Sequence, residues 1–144
     1  MRKGFTLIEL LIVMAVIAIL VGIAVPRFRG MRDEANIAKA HGELRALKTA
    51  VESYFMHQSP NAYPATTSTL YASYLSSAVP KLIETALHDP FGASSTTEYE
   101  YVRSSNGNYY VIYSVGVNGN GSCTISDAGV VTSLNNAIYT TNGQ

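Results

Sequence analysis

This 144-residue sequence has little of what most enzymes and disulfide-bonded proteins depend on. It contains one cysteine, Cys123, and no tryptophan. A lone cysteine excludes an intrachain disulfide and a cysteine metal cluster. Charged residues make up only 14% of the chain and the formal net charge is zero, which argues against a general nucleic-acid binder. The sequence also lacks an ATP-binding loop and a nucleophile-elbow serine.

The few charges are unevenly distributed along the chain. Residues 1–60 carry eight Lys/Arg and five Asp/Glu, a net charge of +3. Residues 61–144 carry two Lys/Arg and five Asp/Glu, a net charge of −3. The basic excess flanks one long apolar run, as it does around membrane segments, and we expect the acidic half to face water.

That apolar run extends from Phe5 to Val25. As a helix it would be about 31 Å long, which matches a hydrocarbon core of about 30 Å. The alternative is a secretory signal cleaved near Ala24, but the run exceeds the usual apolar region of about 7–15 residues and contains an acid. We therefore interpret the run as a membrane span. Basic residues at both ends leave its orientation open.

One carboxylate interrupts the run, since Glu9 is the only charged residue between Lys3 and Arg27. Acidic side chains are costly to insert into a membrane and usually have a function there. If the chain were cut after Gly4, the new amine of Phe5 would lie four residues before Glu9. The two charges could then neutralise each other within one chain or between chains. A Glu that is merely tolerated near the interface is the alternative.

The residues around this acid resemble a known processing signal. Residues 2–9, Arg-Lys-Gly-Phe-Thr-Leu-Ile-Glu, are similar to the signal of type IV prepilins and type II secretion pseudopilins. Pro26 stands where that family has its helix-curving proline. The resemblance implies a cytoplasmic leader, cleavage after Gly4 by a membrane-embedded prepilin peptidase, and N-methylation of Phe5. It also implies that Glu9 acts in assembly by pairing with the amine of a neighbouring chain.

Beyond Pro26, apolar residues recur at steps of three and four, which is typical of a helix. They are Ile37, Ala40, Leu44, Leu47, Val51, Tyr54 and Phe55. The polar residues that we expect on the opposing face are Lys39, Glu43, Arg45, Lys48 and Glu52. We therefore predict one helix from about Phe5 to about Met56, whose second half packs its apolar stripe against the rest of the chain.

Prolines interrupt this pattern after residue 57, and we expect Ser68 to cap a short helix that ends at Leu75. Alternating residues then predict strands at 98–101 and 109–115. The turn between them is expected at Asn106-Gly107, because both residue types tolerate positive φ.

Two further strands, at 124–125 and 130–132, are expected on either side of a turn at 127–129. The predicted fold class is α+β, a long N-terminal helix packed on a small antiparallel sheet. The predicted boundaries are a leader at 1–4, a membrane-spanning and filament-core helix at 5–26, an amphipathic continuation at 27–57 and a β-rich head at 58–144.

The head resembles the major pseudopilins of type II secretion. The resemblance rests on the order of Asn61-Ala62-Tyr63-Pro64, Asp89-Pro90-Phe91-Gly92 and Tyr113-Ser114-Val115-Gly116-Val117-Asn118-Gly119. In that family a Gly-rich loop after the last long strand binds calcium, which takes six to eight oxygen ligands. The implied side-chain ligands here are Asn118, Asn120 and Asp127, of which only Asp127 is charged. An ordinary Asn/Gly turn without an ion is the alternative.

Together these resemblances imply a non-enzymatic subunit of a type IV pilus-like filament, the major pseudopilin of a type II secretion system. The implied location is the bacterial inner membrane, with a single span and a cytoplasmic N-terminus, followed by a periplasmic or extracellular filament. The implied partners are further copies of the chain, the prepilin peptidase, an assembly ATPase, a platform membrane protein and an outer-membrane secretin.

Two other functions stay open. One is a true type IV pilin for adhesion, twitching motility or DNA uptake, although the lack of a cysteine pair departs from many adhesive pilins. The other is a membrane-anchored periplasmic enzyme, for which we find no catalytic residues.

Overall fold

The computed structural model describes residues 4–65, 70–76 and 83–144. Its main element is the 51-residue helix α1, Leu7–His57, so the predicted long helix is confirmed. Pro26 lies inside α1, where it cannot donate a hydrogen bond to the carbonyl of Gly22. The predicted helix cap Ser68 lies outside the described residues.

The chain divides into two compact units, Met1–Ala35 and Asn36–Gln144. In the described part of the first unit, the large apolar side chains from Phe5 to Met31 are between 46% and 79% exposed. Among the described residues, one helix, α1, is long and apolar enough to cross a membrane. Its apolar 18-residue window has a mean hydropathy of 3.0 and is not buried. A soluble monomer does not leave an apolar surface of this extent uncovered.

The second unit has a hydrophobic core, to which α1 contributes one face. The buried helix residues are Ala40, Leu44, Leu47, Ala50 and Val51, so most of the predicted stripe is confirmed. Ile37, Tyr54 and Phe55 at its edges are partly exposed. The strands bury Tyr101, Tyr110 and Ile112 in the same cluster.

The predicted α+β fold class, a long N-terminal helix packed on a small antiparallel sheet, is confirmed. Within the described residues, five short strands pair in two antiparallel groups. The first sheet has the order β1-β2-β5 and consists of Glu100–Arg103, Tyr110–Ser114 and Ile138–Thr141. In the second sheet, β3 (Ser122–Ile125) pairs with β4 (Val131–Leu134). The strands β1 to β4 overlap or adjoin the predicted ones, whereas β5 was not predicted.

The β1–β2 turn differs in detail from the predicted one. Of the residues in this turn, only Gly107 has a positive φ, 76°. Its N–H donates to the Ser104 carbonyl at 3.0 Å, and the Ser104 N–H donates to the Tyr109 carbonyl at 2.8 Å. The loop is therefore longer than a two-residue turn, and one left-handed residue is enough to close it.

Two carboxylates of α1 that we expected on the face opposite the apolar stripe are hydrogen-bonded to tyrosines of the core. The Tyr99 hydroxyl donates to Glu43 Oε2 at 2.6 Å. Glu52 accepts from Tyr110 at 2.7 Å and from Tyr63 at 3.0 Å. The expectation was wrong for these side chains, because they flank the apolar stripe and reach the hydroxyl ends of tyrosines that pack on it.

A lysine of α1 donates a hydrogen bond to β5, the strand that was not predicted. Lys48 Nζ donates to the Thr141 carbonyl of β5 at 2.7 Å. Thr141 Oγ1 in turn donates to the Tyr110 carbonyl of β2 at 2.6 Å. The helix and the edge strand β5 are thus joined by a charge-assisted hydrogen bond.

The buried tyrosines make the stability of the head sensitive to alkaline pH. Burial raises the pKa of Tyr99, Tyr101 and Tyr110, and the hydrogen-bonded Glu43 and Glu52 raise the pKa of Tyr99 and Tyr110 further. Unfolded tyrosines lose their protons near pH 10. Above that pH the unfolded chain binds fewer protons than the folded one, so stability falls as the pH rises.

We predict that the free energy of unfolding falls steeply as the pH rises above about 10. Tyr110→Phe should make this fall shallower, because one of the three buried hydroxyls is removed. Urea unfolding of the detergent-solubilised chain, followed by circular dichroism at each pH, measures both effects. The same alkaline slope in the wild type and the variant would contradict the assignment.

A matched pair of leucines tests the two environments of α1. Leu44 is 1% exposed and Leu11 is 60% exposed. Leu44→Ala should lower the free energy of unfolding by about 2–5 kcal/mol because it leaves a cavity in the core. Leu11→Ala should change it by less than about 0.5 kcal/mol in detergent. Equal losses in the two variants would show that the core does not lie where we describe it.

Candidate assembly site at the start of α1

The predicted cleavage point lies in irregular, exposed chain just before α1. Residues 4–6 precede the helix, and Phe5 is 79% exposed. A Cβ atom placed on Gly4 would meet no atom within 4 Å. The fold of this chain therefore does not itself require glycine at position 4, and any such requirement must come from a protein that binds this segment.

Thr6 and Glu9 form a reciprocal cap at the first turn of α1. Glu9 Oε2 accepts hydrogen bonds from the Thr6 N–H at 2.9 Å and the Thr6 hydroxyl at 2.8 Å. The Glu9 N–H donates back to Thr6 Oγ1 at 3.3 Å. This is a capping box, whose Thr-x-x-Glu spacing was visible in the sequence but was not used in our prediction.

The cap leaves part of the Glu9 carboxylate available. Within the described chain, both hydrogen bonds that Glu9 accepts end on Oε2. Oε1 can therefore accept from a donor outside the chain. Its neighbours Ile8 and Leu10 are 65% and 52% exposed, so nothing in the described chain shields that approach.

Further along α1, one face carries a shallow apolar groove of about 370 Å³. Its lining residues are Leu20, Ile23, Ala24, Arg27, Phe28 and Met31, which recur at steps of three and four. A continuous apolar groove on one helix face is suited to contact with a second helix. Arg27 can extend its charged end along such a face towards water.

The three implied calcium ligands lie in two turns with separate hydrogen-bond partners. Asn118 and Asn120 are exposed in the loop between β2 and β3. The Asn120 carbonyl accepts from Asn135 Nδ2 at 3.1 Å. Asp127 lies in the β3–β4 turn, where its Oδ1 accepts from the Asn106 N–H at 2.8 Å.

Asp89, which the sequence analysis quoted only as part of a motif, is a buried carboxylate with 4% exposure. Its Oδ1 accepts from the Ser114 hydroxyl at 2.7 Å and from the Phe91 N–H at 2.9 Å. Its Oδ2 accepts from the Val115 N–H at 2.8 Å. The signal in the sequence was an acid before Pro-Phe-Gly, but its partner across the fold, Ser114, cannot be read from the sequence.

Comparison with known proteins gives matches in both parts of the chain. Residues 1–25 match the model of the prokaryotic N-terminal methylation motif. A fimbrial protein of Pseudomonas aeruginosa is 50% identical over 52 residues, which are 36% of this chain and 34% of that protein. The Thermus thermophilus type IV narrow pilus major component PilA5 is 54% identical over 48 residues, 33% of this chain and 41% of that protein.

A second set of matches extends into the head. The type II secretion system core protein G of Klebsiella michiganensis is 33% identical over 79 residues, 55% of this chain and 54% of that protein. The matched part of the chain thus spans about a third to a half of the length of these relatives. No solved structure matches the chain. Since the model of "Type II secretion system (T2SS), protein G" matches residues 27–133, the chain belongs to that family.

Proposed function

We propose that this chain is a structural, non-enzymatic subunit of a pilus-like filament, namely the major pseudopilin of a type II secretion system. The observation that carries the proposal is the start of α1. There, an exposed Gly4–Phe5 bond precedes the exposed apolar run of α1, which holds one carboxylate, Glu9. Family membership through residues 27–133 supports the same function for the head.

Processing is the first step of the proposed function. A prepilin peptidase cuts the exposed bond after Gly4, and the new amine of Phe5 is N-methylated. Before the cut, residues 5–26 span the bacterial inner membrane with the leader 1–4 in the cytoplasm. The match of residues 1–25 to the N-terminal methylation motif supports this order of events.

During assembly, the lipid around the apolar part of α1 is replaced by the same helix of neighbouring copies. The apolar side chains of α1 that are exposed in the single chain need a cover in either environment. Identical subunits packed head to tail form a helical filament when the rotation between them does not close a ring. Residues 5–26 form the filament core, and the β-rich head, 58–144, packs on the part of α1 between Ala40 and Val51.

Glu9 sets the register of this packing. Its Oε1 accepts from the Phe5 amine of a neighbouring copy, while Oε2 keeps its bonds to Thr6. The pair neutralises two charges that would otherwise lie unpaired in an apolar core. A shift of one helical turn between neighbours would separate the amine from the carboxylate, so the pairing selects one alignment.

The remaining partners follow from the same proposal. The chain contains no ATP-binding loop, so a cytoplasmic assembly ATPase supplies the energy for extrusion. A platform membrane protein receives subunits from the inner membrane, and an outer-membrane secretin admits the filament.

A true type IV pilin is the second candidate. The matches to fimbrial and pilus proteins favour it, since about half of the aligned residues are identical over about a third of the chain. The head favours the pseudopilin because residues 27–133 match protein G. Deletion of the gene separates the two: loss of exoprotein release with intact surface fibres supports the pseudopilin, and the reverse supports the pilin.

We predict that Glu9→Gln leaves cleavage after Gly4 intact but lowers filament yield at least about tenfold, because the buried amine loses its partner. The control is Glu34→Gln, which removes an exposed carboxylate of α1 outside the apolar run and should leave the yield unchanged. Mass spectrometry of the membrane-bound chain measures cleavage, and electron microscopy of sheared fibres measures yield.

Three observations would contradict these expectations. Normal fibres from the Glu9→Gln variant would refute the pairing. An uncut Glu9→Gln chain would assign Glu9 to recognition by the peptidase instead. A wild-type mature chain that begins at Val25 rather than Phe5 would refute the filament function as a whole.

A further inference from the structure

The loop between β2 and β3, residues 115–121, is where the resemblance implies calcium. Calcium sites gather six to eight oxygens, and carboxylates supply most of the charge. Among the residues that the structure describes, no group of three or more His, Cys, Asp or Glu could hold a metal ion. The implied ligand Asp127 already accepts the Asn106 N–H, while the Asn106 side chain donates to the Asp127 carbonyl at 2.9 Å.

At the base of this loop, hydrogen-bond donors point inward, whereas a cation needs oxygen atoms that point inward. The N–H groups of Phe91 and Val115 and the hydroxyl of Ser114 all point at the carboxylate of Asp89. A carboxylate has about four lone-pair positions, and three of them are filled here by protein donors. N–H groups directed at one point attract an anion and repel a cation.

Ser114 extends this arrangement into the loop. Its Oγ, which donates to Asp89, also accepts from the Gly116 N–H at 3.1 Å. The Gly119 N–H then donates to the Gly116 carbonyl at 2.8 Å. The Gly121 N–H donates to the Val115 carbonyl at 2.8 Å and closes the loop.

The opposite side of the loop is fixed by the turn before β5. A Cβ atom on Gly116, whose φ is 70°, would come within 2.4 Å of the Asn136 carbonyl oxygen. A Cβ atom on Gly121 would come within 2.9 Å of the Ala137 side chain. The loop therefore packs directly on 136–137, and glycine is needed at both positions for this close approach.

We propose that the buried carboxylate of Asp89 orders this loop in place of a divalent cation, and that the folded head binds no calcium there. A calcium ion would hold the loop through oxygen ligands gathered around a positive charge. Asp89 instead holds it through donors gathered around a negative charge, namely the N–H groups of 91 and 115 and the Ser114 hydroxyl. This inference concerns the head alone and does not depend on whether the chain assembles into filaments.

The test compares thermal unfolding of the full chain in detergent with about 1 mM calcium chloride or about 1 mM EGTA. We expect the same Tm in both, within about 1 °C. A site with a Kd near 10 μM would instead raise Tm by roughly 5–10 °C at that calcium concentration. Such a rise, abolished by Asp127→Asn, would overturn the proposal.

The second arm replaces the carboxylates. Asp89→Asn places an NH₂ group where an acceptor is needed, so Tm should fall by roughly 5 °C or more, and the amides of 115, 116 and 121 should exchange hydrogen faster. Asp127→Asn keeps an acceptor for Asn106 and should shift Tm by less than about 2 °C. Slow exchange of the loop amides in Asp89→Asn would overturn the proposed function of Asp89.

Should the Asp89→Asn chain fail to fold, Ser114→Ala is the milder variant. It removes one donor to Asp89 and the acceptor of the Gly116 N–H. We expect faster exchange confined to 116 and its neighbours, again independent of calcium. Restoration of slow exchange by added calcium would contradict the proposal.

Discussion

The carboxylate of Glu9 within an otherwise apolar helix is the constraint on which the proposed function depends. The apolar side chains around it have no cover in the described chain, so they require lipid or other helices. In both environments an unpaired carboxylate is unfavourable. The cap with Thr6 satisfies one oxygen of Glu9 and leaves the other for a donor that the described chain does not supply. In the filament that we propose, a donor from a neighbouring copy would make helix packing and charge neutralisation the same event.

The second half of α1 is helical too, but its apolar side chains are buried within the same chain. Leu44 and Val51 are buried by the chain's own strands. Polar side chains beside them, Glu43 and Glu52, accept hydrogen bonds from tyrosine hydroxyls, so each tyrosine packs its ring on the helix and satisfies its polar end there. The head is therefore complete within one chain, and its Gly-rich loop is held by a carboxylate of the same chain, Asp89.

Features that follow from the spacing of apolar residues and the length of a segment could be predicted from the sequence. Features that depend on contacts between distant parts of the chain could not. The long helix and its buried stripe follow from apolar spacing over many turns. Apolar spacing alone does not distinguish the flank of α1 from its back, so Glu43 and Glu52 were predicted on the face opposite the stripe. The strand β5 pairs with β2 and contacts Lys48, which lie far from it in the sequence, so these contacts give no local signal. The Thr6–Glu9 cap was readable from spacing, whereas the Asp89–Ser114 contact joins residues 25 positions apart.

The most direct test is solid-state NMR on filaments grown from an equal mixture of two chains. One chain carries nitrogen-15 at the Phe5 amine, and the other carries carbon-13 at the Glu9 carboxylate. We predict a dipolar coupling between the two labels, because an ion pair brings the amine nitrogen within about 4 Å of a carboxylate oxygen. Filaments in which the Glu9 carboxylate carbon shows no coupling to the Phe5 amine of the other chain would contradict the account.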